Sequence, residues 1–259
     1  MASALFDLTG KVALITGSSK GIGKAIAEEM ARAGAQVVIS SRKGDVCQSV
    51  ADTINAELDG APGGAVAIPA HIGEKEELER LVSETRQKLG RIDSLVCNAA
   101  VNPYYGPMTD LPDSAFDKIL DINIKSNHWL SQLVLPEMRE RRDGTIMIVS
   151  SVGGLRGSAV LGAYCISKAA DVQLVRNLAV ENGPYNIRVN AISPGLIRTD
   201  FARALWENPD ILKRRTEGDP LQRIGEPEEV AGIAVYLASR AGAFTTGQNF
   251  VIDGGSTIA

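Results

Sequence analysis

Seven short apolar runs, separated by helix-length stretches, constrain this chain more than any other feature. Lys11–Thr16, Gln36–Ser41, Ala65–Pro69, Ile92–Cys97, Thr145–Val149, Ile187–Ile192 and Asn249–Ile252 are rich in β-branched residues and apolar almost throughout. A strand wetted on one face alternates apolar with polar residues, whereas one apolar on both faces lies in the middle of a covered sheet. Helical stretches separate the runs: Ile22–Ala33, Asp45–Leu58, Glu74–Leu89, a long helix from Ser114 into the 130s, the segment around Tyr164 and Pro227–Ala238. Strand–helix alternation of this kind specifies a parallel α/β sheet with helices on both faces. We find no linker, repeat or low-complexity segment, so residues 1–259 are expected to form one domain.

Two segments leave the rhythm, Val101–Leu111 and Pro194–Pro220. Both leave strands at their carboxyl ends, where open α/β sheets bind ligands, so they are expected to wall the substrate site. The second is expected to be a substrate-loop insert over about residues 194–220.

The first turn reads Thr16-Gly17-Ser18-Ser19-Lys20-Gly21-Ile22-Gly23. Glycines allow a tight turn and let backbone N–H groups approach a pyrophosphate at the positive end of a helix. The spacing is G-x-x-x-G-x-G rather than G-x-G-x-x-G, so the turn alone proves little. Further on, Tyr164 and Lys168 stand four residues apart, on one face of a helix. A free phenol, with a pKa of about 10, is a poor acid–base group at neutral pH. A fixed ammonium beside it favours the phenolate and lowers that pKa. Tyr236 and Arg240 share the spacing in what reads as an ordinary helix end, so this pair too needs its context.

That context is Asn98-Ala99-Ala100 after the fourth strand, Asn123 in Asp121-Ile122-Asn123-Ile124, Ser150-Ser151 ending the fifth strand, and Pro194-Gly195 after the sixth. Ser151 precedes Tyr164 by thirteen residues. Together with the glycine turn these resemble the short, single-domain branch of the short-chain dehydrogenase/reductase family, from about Leu8 to Gly255. Ser40-Ser41-Arg42-Lys43, Asn98–Pro103 and Leu196-Ile197-Arg198-Thr199 with Trp206 are similar to its NADP-dependent carbonyl reductase/retinol dehydrogenase subgroup, the dehydrogenase/reductase member 4 type.

The resemblance implies a single Rossmann-type, doubly wound, seven-stranded parallel sheet and reversible hydride transfer between a nicotinamide cofactor and a carbonyl/alcohol pair. Carried over position by position, it makes Tyr164 the acid of reduction and base of oxidation. Lys168 lowers its pKa and holds the nicotinamide ribose, Ser151 bonds the substrate oxygen, and Asn123 positions a relay water. The cofactor contacts it implies are Gly17, Ser19, Lys20, Gly21, Ile22, Gly23, Ser41, Arg42, Ile72, Asn98, Ala99, Tyr164, Lys168, Pro194, Gly195, Ile197 and Thr199. Tyr104, Leu155, Leu161 and Trp206 are the expected substrate contacts, in an apolar pocket to which Tyr105, Leu196, Phe201 and Leu205 also belong. Two residues depart from the family pattern: Ala100 replaces a glycine, and His71 replaces an aspartate that contacts adenine.

NADP is expected rather than NAD. The second strand ends Ser40-Ser41-Arg42-Lys43 with no carboxylate before Asp45, where an NAD enzyme places an acid on the ribose. Lys20 and Arg42 offer cations for a 2′-phosphate, and Ser41 a neutral hydrogen bond. A 3-oxoacyl-carrier-protein reductase and a non-catalytic nucleotide sensor are the alternatives. An enoyl reductase spaces its tyrosine and lysine more widely, and the corresponding position here is Asp171.

Composition excludes other classes. A net charge of −4 is not the footprint of a nucleic-acid binder, and 44% hydrophobic content supports a large core. Two histidines and three scattered cysteines, Cys47, Cys97 and Cys165, do not make a metal site. The N-terminal residues Met1–Asp7 lack a basic start followed by an apolar run, and no segment reaches membrane-spanning length. The expectation is a cytoplasmic protein, a homotetramer by the resemblance, acting on a small molecule.

Overall fold

The computed structural model describes residues 4–259; Met1, Ala2 and Ser3, part of the N-terminal stretch read above, lie outside the described residues. In chain order the elements are β1 (Val12–Thr16), α1 (Gly21–Arg32), β2 (Gln36–Ser40), α2 (Gly44–Glu57), β3 (Gly64–Ala67), α3 (Lys75–Leu89) and β4 (Ser94–Cys97). Then come α4 (Asp113–Leu120), α5 (Ser126–Arg141), β5 (Gly144–Val149), α6 (Gly162–Asn182), β6 (Ile187–Pro194), α7 (Pro209–Thr216), α8 (Pro227–Ala238) and β7 (Asn249–Ile252).

The seven strands form one sheet in the order β3-β2-β1-β4-β5-β6-β7, every neighbouring pair parallel. Successive side chains of β1 show why its sequence is apolar throughout. Ala13 and Ile15 pack with α1, α2 and α8 on one face, while Leu14 packs with α3, α5 and α6 on the other. Burying a side chain of this size stabilises the fold by about 1.5–3 kcal/mol. The sheet is the doubly wound Rossmann-type arrangement expected. Its order reverses between β1 and β4, and a crevice opens at such a switch point outside the carboxyl ends of the strands.

One element differs from the sequence reading. The expected long helix from Ser114 is interrupted by a π-helical turn at Asp121–Lys125, between α4 and α5. The Ser126 N–H bonds back to the Asp121 carbonyl, five residues away. The displaced carbonyls of Ile122 and Asn123 are taken instead by the Ser126 hydroxyl and the Asn127 amide. Such turns recur at functional sites because they rotate side chains out of the helical register. Here the rotated residue is Asn123.

The 194–220 segment is not irregular throughout. It carries a 3-10 stretch at Asp200–Leu205 and then α7, whose start is capped by the Asn208 side chain.

Candidate active site

The glycine turn is held against the β4 end by side chains of both strands. Asn98 donates through Nδ2 to the carbonyls of Thr16 at 2.9 Å and Gly17 at 3.2 Å. The Thr16 hydroxyl accepts from the N–H groups of Asn98 and Ala99. A Cβ at Gly23 would stand 2.4 Å from Asn98 Nδ2 and 2.6 Å from the Gly17 carbonyl oxygen, so no larger residue fits. Gly17 and Gly21 have positive φ, 65° and 57°, which glycine adopts without cost. Gly21 also lies under the Thr199 side chain. Ser18, not among the expected contacts, is the buried tie to β2: its Oγ accepts from the Ser40 N–H at 2.9 Å.

Around this turn the remaining expected contacts cluster on two sides. Ser41 and Arg42 follow β2; Arg42 is exposed, and the Ser41 hydroxyl lies 3.1 Å from Cys47 Sγ. His71 closes a local turn, its Nδ1 accepting from the Gly73 N–H at 3.2 Å, beside partly buried Ile72. Opposite, Pro194 ends β6 and the Gly195 N–H bonds to the Ile252 carbonyl, with Asp253 so close that a Cβ would not fit. Ile197 is buried and pairs with Gly225. Lys20 does not stand free as the sequence suggested: its Nζ is ion-paired with Asp200 Oδ2 at 3.1 Å.

The residues expected to be catalytic come from α6, the end of β5 and the π turn. Ser150 Oγ donates to the Lys168 carbonyl at 2.7 Å, and Gly154 lies against the α6 backbone where a Cβ would sit 2.7 Å from the carbonyl carbon of Lys168. This docking brings Ser151 to Tyr164. Lys168 Nζ lies 5.7 Å from the Tyr164 ring centroid and donates to the Val149 carbonyl at 2.9 Å and to Asp171 Oδ2 at 3.0 Å. Asn123 is fully buried. Its amide group holds both the N–H and the carbonyl of Val101, and donates to Ser167 Oγ at 3.0 Å.

Electrostatics here differ from the simple picture of a lysine lowering a phenol. Burial pushes the Tyr164 pKa above its ordinary value; the Lys168 charge and the Ser151 hydroxyl pull it back only in part. Burial opposes the Lys168 charge as well, but Asp171 and Tyr164 outweigh it and hold that ammonium's pKa above the usual lysine value. Burial likewise raises Asp171, against the pull of Lys168 and Asn127.

A tight crevice of about 180 Å³, too narrow in this conformation to admit water, lies beside Tyr164, lined by Asn102, Tyr104, Met108, Leu111, Ile119 and Leu161 among others, none of them charged. The exposed Phe201 ring lies tilted against Tyr164, with centroids 5.9 Å apart. Two of the four expected substrate contacts, Tyr104 and Leu161, line this cleft. The other two do not: Leu155 is exposed, and Trp206 is folded onto its own loop. The Trp206 indole donates to the Thr199 carbonyl at 2.9 Å beneath the Arg198 guanidinium.

A family model described as Enoyl-(Acyl carrier protein) reductase matches residues 17–257, and dehydrogenase/reductase SDR family member 4 of Bos taurus is 43% identical over 249 residues, covering 96% of this chain and 88% of the relative. This chain belongs to the short-chain dehydrogenase/reductase family. The solved structure of a short-chain type dehydrogenase/reductase from Mycobacterium marinum is 39% identical, covers 98% of each chain and superposes with a TM-score of 0.91. A putative NAD(P) dependent gluconate 5-dehydrogenase from Beutenbergia cavernae, solved with bound NADP, is 32% identical, with 98% and 100% coverage and a TM-score of 0.92.

As a short-chain dehydrogenase/reductase, this protein is an enzyme acting on a carbonyl/alcohol pair with NAD(P). Sequence reasoning missed Asn127, Ser167 and the role of Asp171. A signal was present: Asp171 falls one helical turn after Lys168, and Asn127 one turn after Asn123.

Proposed function

We propose that this enzyme transfers hydride between NADP(H) and ketones or aldehydes bearing apolar or aromatic groups. The observation that carries this reading is the cluster of half-buried Ser151 and Tyr164 with buried Lys168, beside an uncharged crevice lined by Tyr104, Met108 and Leu161.

The chain fits a dinucleotide: Gly17, Gly21 and Gly23 form a turn that side chains would fill, at the start of α1, where backbone N–H groups attract a pyrophosphate. Arg42 and Lys20 would hold the 2′-phosphate, with Ser41 beside it and Ile72 against the adenine; Asn98 and Ala99 would back the ribose. Pro194, Gly195, Ile197 and Thr199 would flank the nicotinamide, which supplies or accepts the hydride when bound. The absence of a carboxylate after β2 favours NADP; among the relatives, the Beutenbergia cavernae protein is described with NADP at low occupancy and a 7 alpha-hydroxysteroid dehydrogenase, 36% identical, with NADH.

Ser151 donates a hydrogen bond to the substrate oxygen and stabilises the charge that develops there. Tyr164 transfers its hydroxyl proton to that oxygen in reduction and takes it back in oxidation. Lys168 fixes the phenol's surroundings with its charge. Asn123 pins the Val101 loop beside Ser167 and keeps the cleft wall in register. No basic residue lines the cleft to receive an acidic carrier protein, so the 3-oxoacyl-carrier-protein reductase reading is weaker. As part of the same proposal the protein assembles as a cytoplasmic homotetramer, which light scattering decides: a monomeric particle overturns it.

Loss of reduced-nicotinamide absorbance, with both cofactors and a panel of ketones, aldehydes and sugars, tests the reading. Aromatic and apolar carbonyls with NADPH should be turned over fastest. A tenfold preference for polyols or sugars would overturn the substrate class, and binding without turnover would favour a sensor.

A further inference from the structure

Beneath Tyr164 lies a buried charge that this chemistry leaves unused. Asp171 is 0% exposed, and both its oxygens are engaged: Oδ2 accepts from Lys168 at 3.0 Å and Oδ1 from Asn127 Nδ2 at 2.9 Å. The same Asn127 amide donates to the Asn123 carbonyl at 2.6 Å. The ion pair is thereby tied to the π turn, whose displaced carbonyl it uses. Ion pairs this deep are poor stabilisers, since apolar replacements commonly do as well, so stability alone gives no reason for the carboxylate.

Its effect on Tyr164 follows from charge. A lone buried ammonium beside a phenol is a positive monopole that favours phenolate. With Asp171 beside it, Lys168 becomes half of a neutral pair, and the field at Tyr164 is reduced to that of a dipole. We infer that Asp171 is a positioning residue: with Asn127 it anchors the Lys168 ammonium and offsets part of the field that would ionise Tyr164. The enzyme is thereby set at neutral pH to donate a proton to carbonyls rather than to withdraw one from alcohols. The inference rests on the acid–base role of Tyr164 stated above.

The two cysteines facing the pair act in the same direction as Asp171, Cys165 on Tyr164 and Cys97 on Lys168, and the remaining groups carry no charge. On α6 itself stand Tyr164 and Cys165; β4 contributes Cys97, whose thiol burial pushes up and keeps neutral. From β5 come the Val149 carbonyl and the Ser150 hydroxyl, from the turn after it Ser151, from the π turn Asn123 and from α5 Asn127, none of which titrates near neutrality. In line with this, the Asp171 charge works to raise the Tyr164 pKa and the Lys168 charge to lower it.

The experiment is a phenolate absorbance titration of the full chain, without substrate, from neutral to strongly alkaline pH. Subtracting the titration of the Tyr164→Phe protein isolates Tyr164. Asp171→Asn keeps an acceptor for Lys168 but drops the charge, and should lower the Tyr164 midpoint by about one pH unit or more, the effect of one charge several ångströms away at an effective dielectric near 20. Thermal melting of the same samples separates this from damage to the fold. An unmoved or raised midpoint in a folded variant overturns the proposal. Should Asp171→Asn not fold, the unaltered protein decides: the midpoint should lie at or above the free-tyrosine value of about 10, and one near neutrality overturns the role of Asp171. The reading beneath fails separately, because a Tyr164→Phe protein that keeps its rate removes Tyr164 as the acid whatever the midpoint of the titration.

Discussion

Lys20 was legible in the sequence as a cation in the glycine turn, but its partner was not. Asp200 lies on a segment far along the chain, and only the fold brings the two carboxylate and ammonium groups to 3.1 Å. The contact is exposed, so it contributes little to stability and is screened by salt. Its consequence is competition: Asp200 occupies the cation that a 2′-phosphate would use. Asp200→Asn should therefore tighten NADP binding at low salt while leaving NAD nearly unchanged. Arg42→Ala should do the reverse and weaken NADP alone, by roughly tenfold or more, since a hydrogen bond to a charged group contributes about 1.5–3 kcal/mol. Titration calorimetry with both cofactors, at low and high ionic strength, checks the pair. Unchanged NADP affinity in both variants would contradict the assigned phosphate site. The glycines were more legible than the lysine, because the positions where a Cβ fails depend on a local turn whose sequence is contiguous.

At the level of elements, all seven strands could be read from apolar runs and their parallel order from the alternation with helices. Boundaries moved by a residue or two: β4 begins at Ser94 rather than Ile92, and β6 extends to Pro194. The π turn was not legible from periodicity, which gives apolar faces but not the hydrogen-bond step. What betrays it is Ser126 and Asn127, one turn beyond the carbonyls they rescue, a side-chain-to-backbone pattern that competes with regular helix bonding. The turn matters because Asn123 satisfies both backbone groups of Val101, at 2.9 and 3.1 Å. Asn123→Ala leaves a backbone donor and acceptor stranded, at about 1–3 kcal/mol for each group that stays unsatisfied. A fall in denaturation midpoint together with reduced activity is expected. An Asn123→Ala protein as stable and active as the parent would show that the Val101 loop is held by other contacts.

At the scale of the whole molecule, one exposed carboxylate adds a small, salt-screened contribution to the acid limb of stability. Glu229, at the start of α8, is held down to about 2 by the paired Arg223 guanidinium bonds and the Glu226 N–H. Its folded pKa is depressed, so its contribution is complete above the ordinary glutamate value of 4.5 and is lost as pH falls towards 2. Melting temperature should hold steady down to that window and then decline, and Glu229→Gln should flatten the decline; an unchanged profile in that variant would assign the acid loss elsewhere. The core faces and the parallel strands were readable because each repeats a pattern within a short stretch of chain. Packing of Trp206 onto its own loop, the Lys20–Asp200 pair and the Asp171–Asn127 link were not, because each joins separate stretches of chain or depends on how one loop folds. What the whole fold accomplishes is to bring Ser151, from the end of β5, and Lys168, on α6, to one phenol. Single-turnover measurement of hydride transfer in Tyr164→Phe tests that directly: the rate should fall by about 10²–10⁴-fold while cofactor affinity stays at the parent value. A variant retaining more than about a tenth of the parent rate, well outside that range, would contradict Tyr164 as the group that moves the proton.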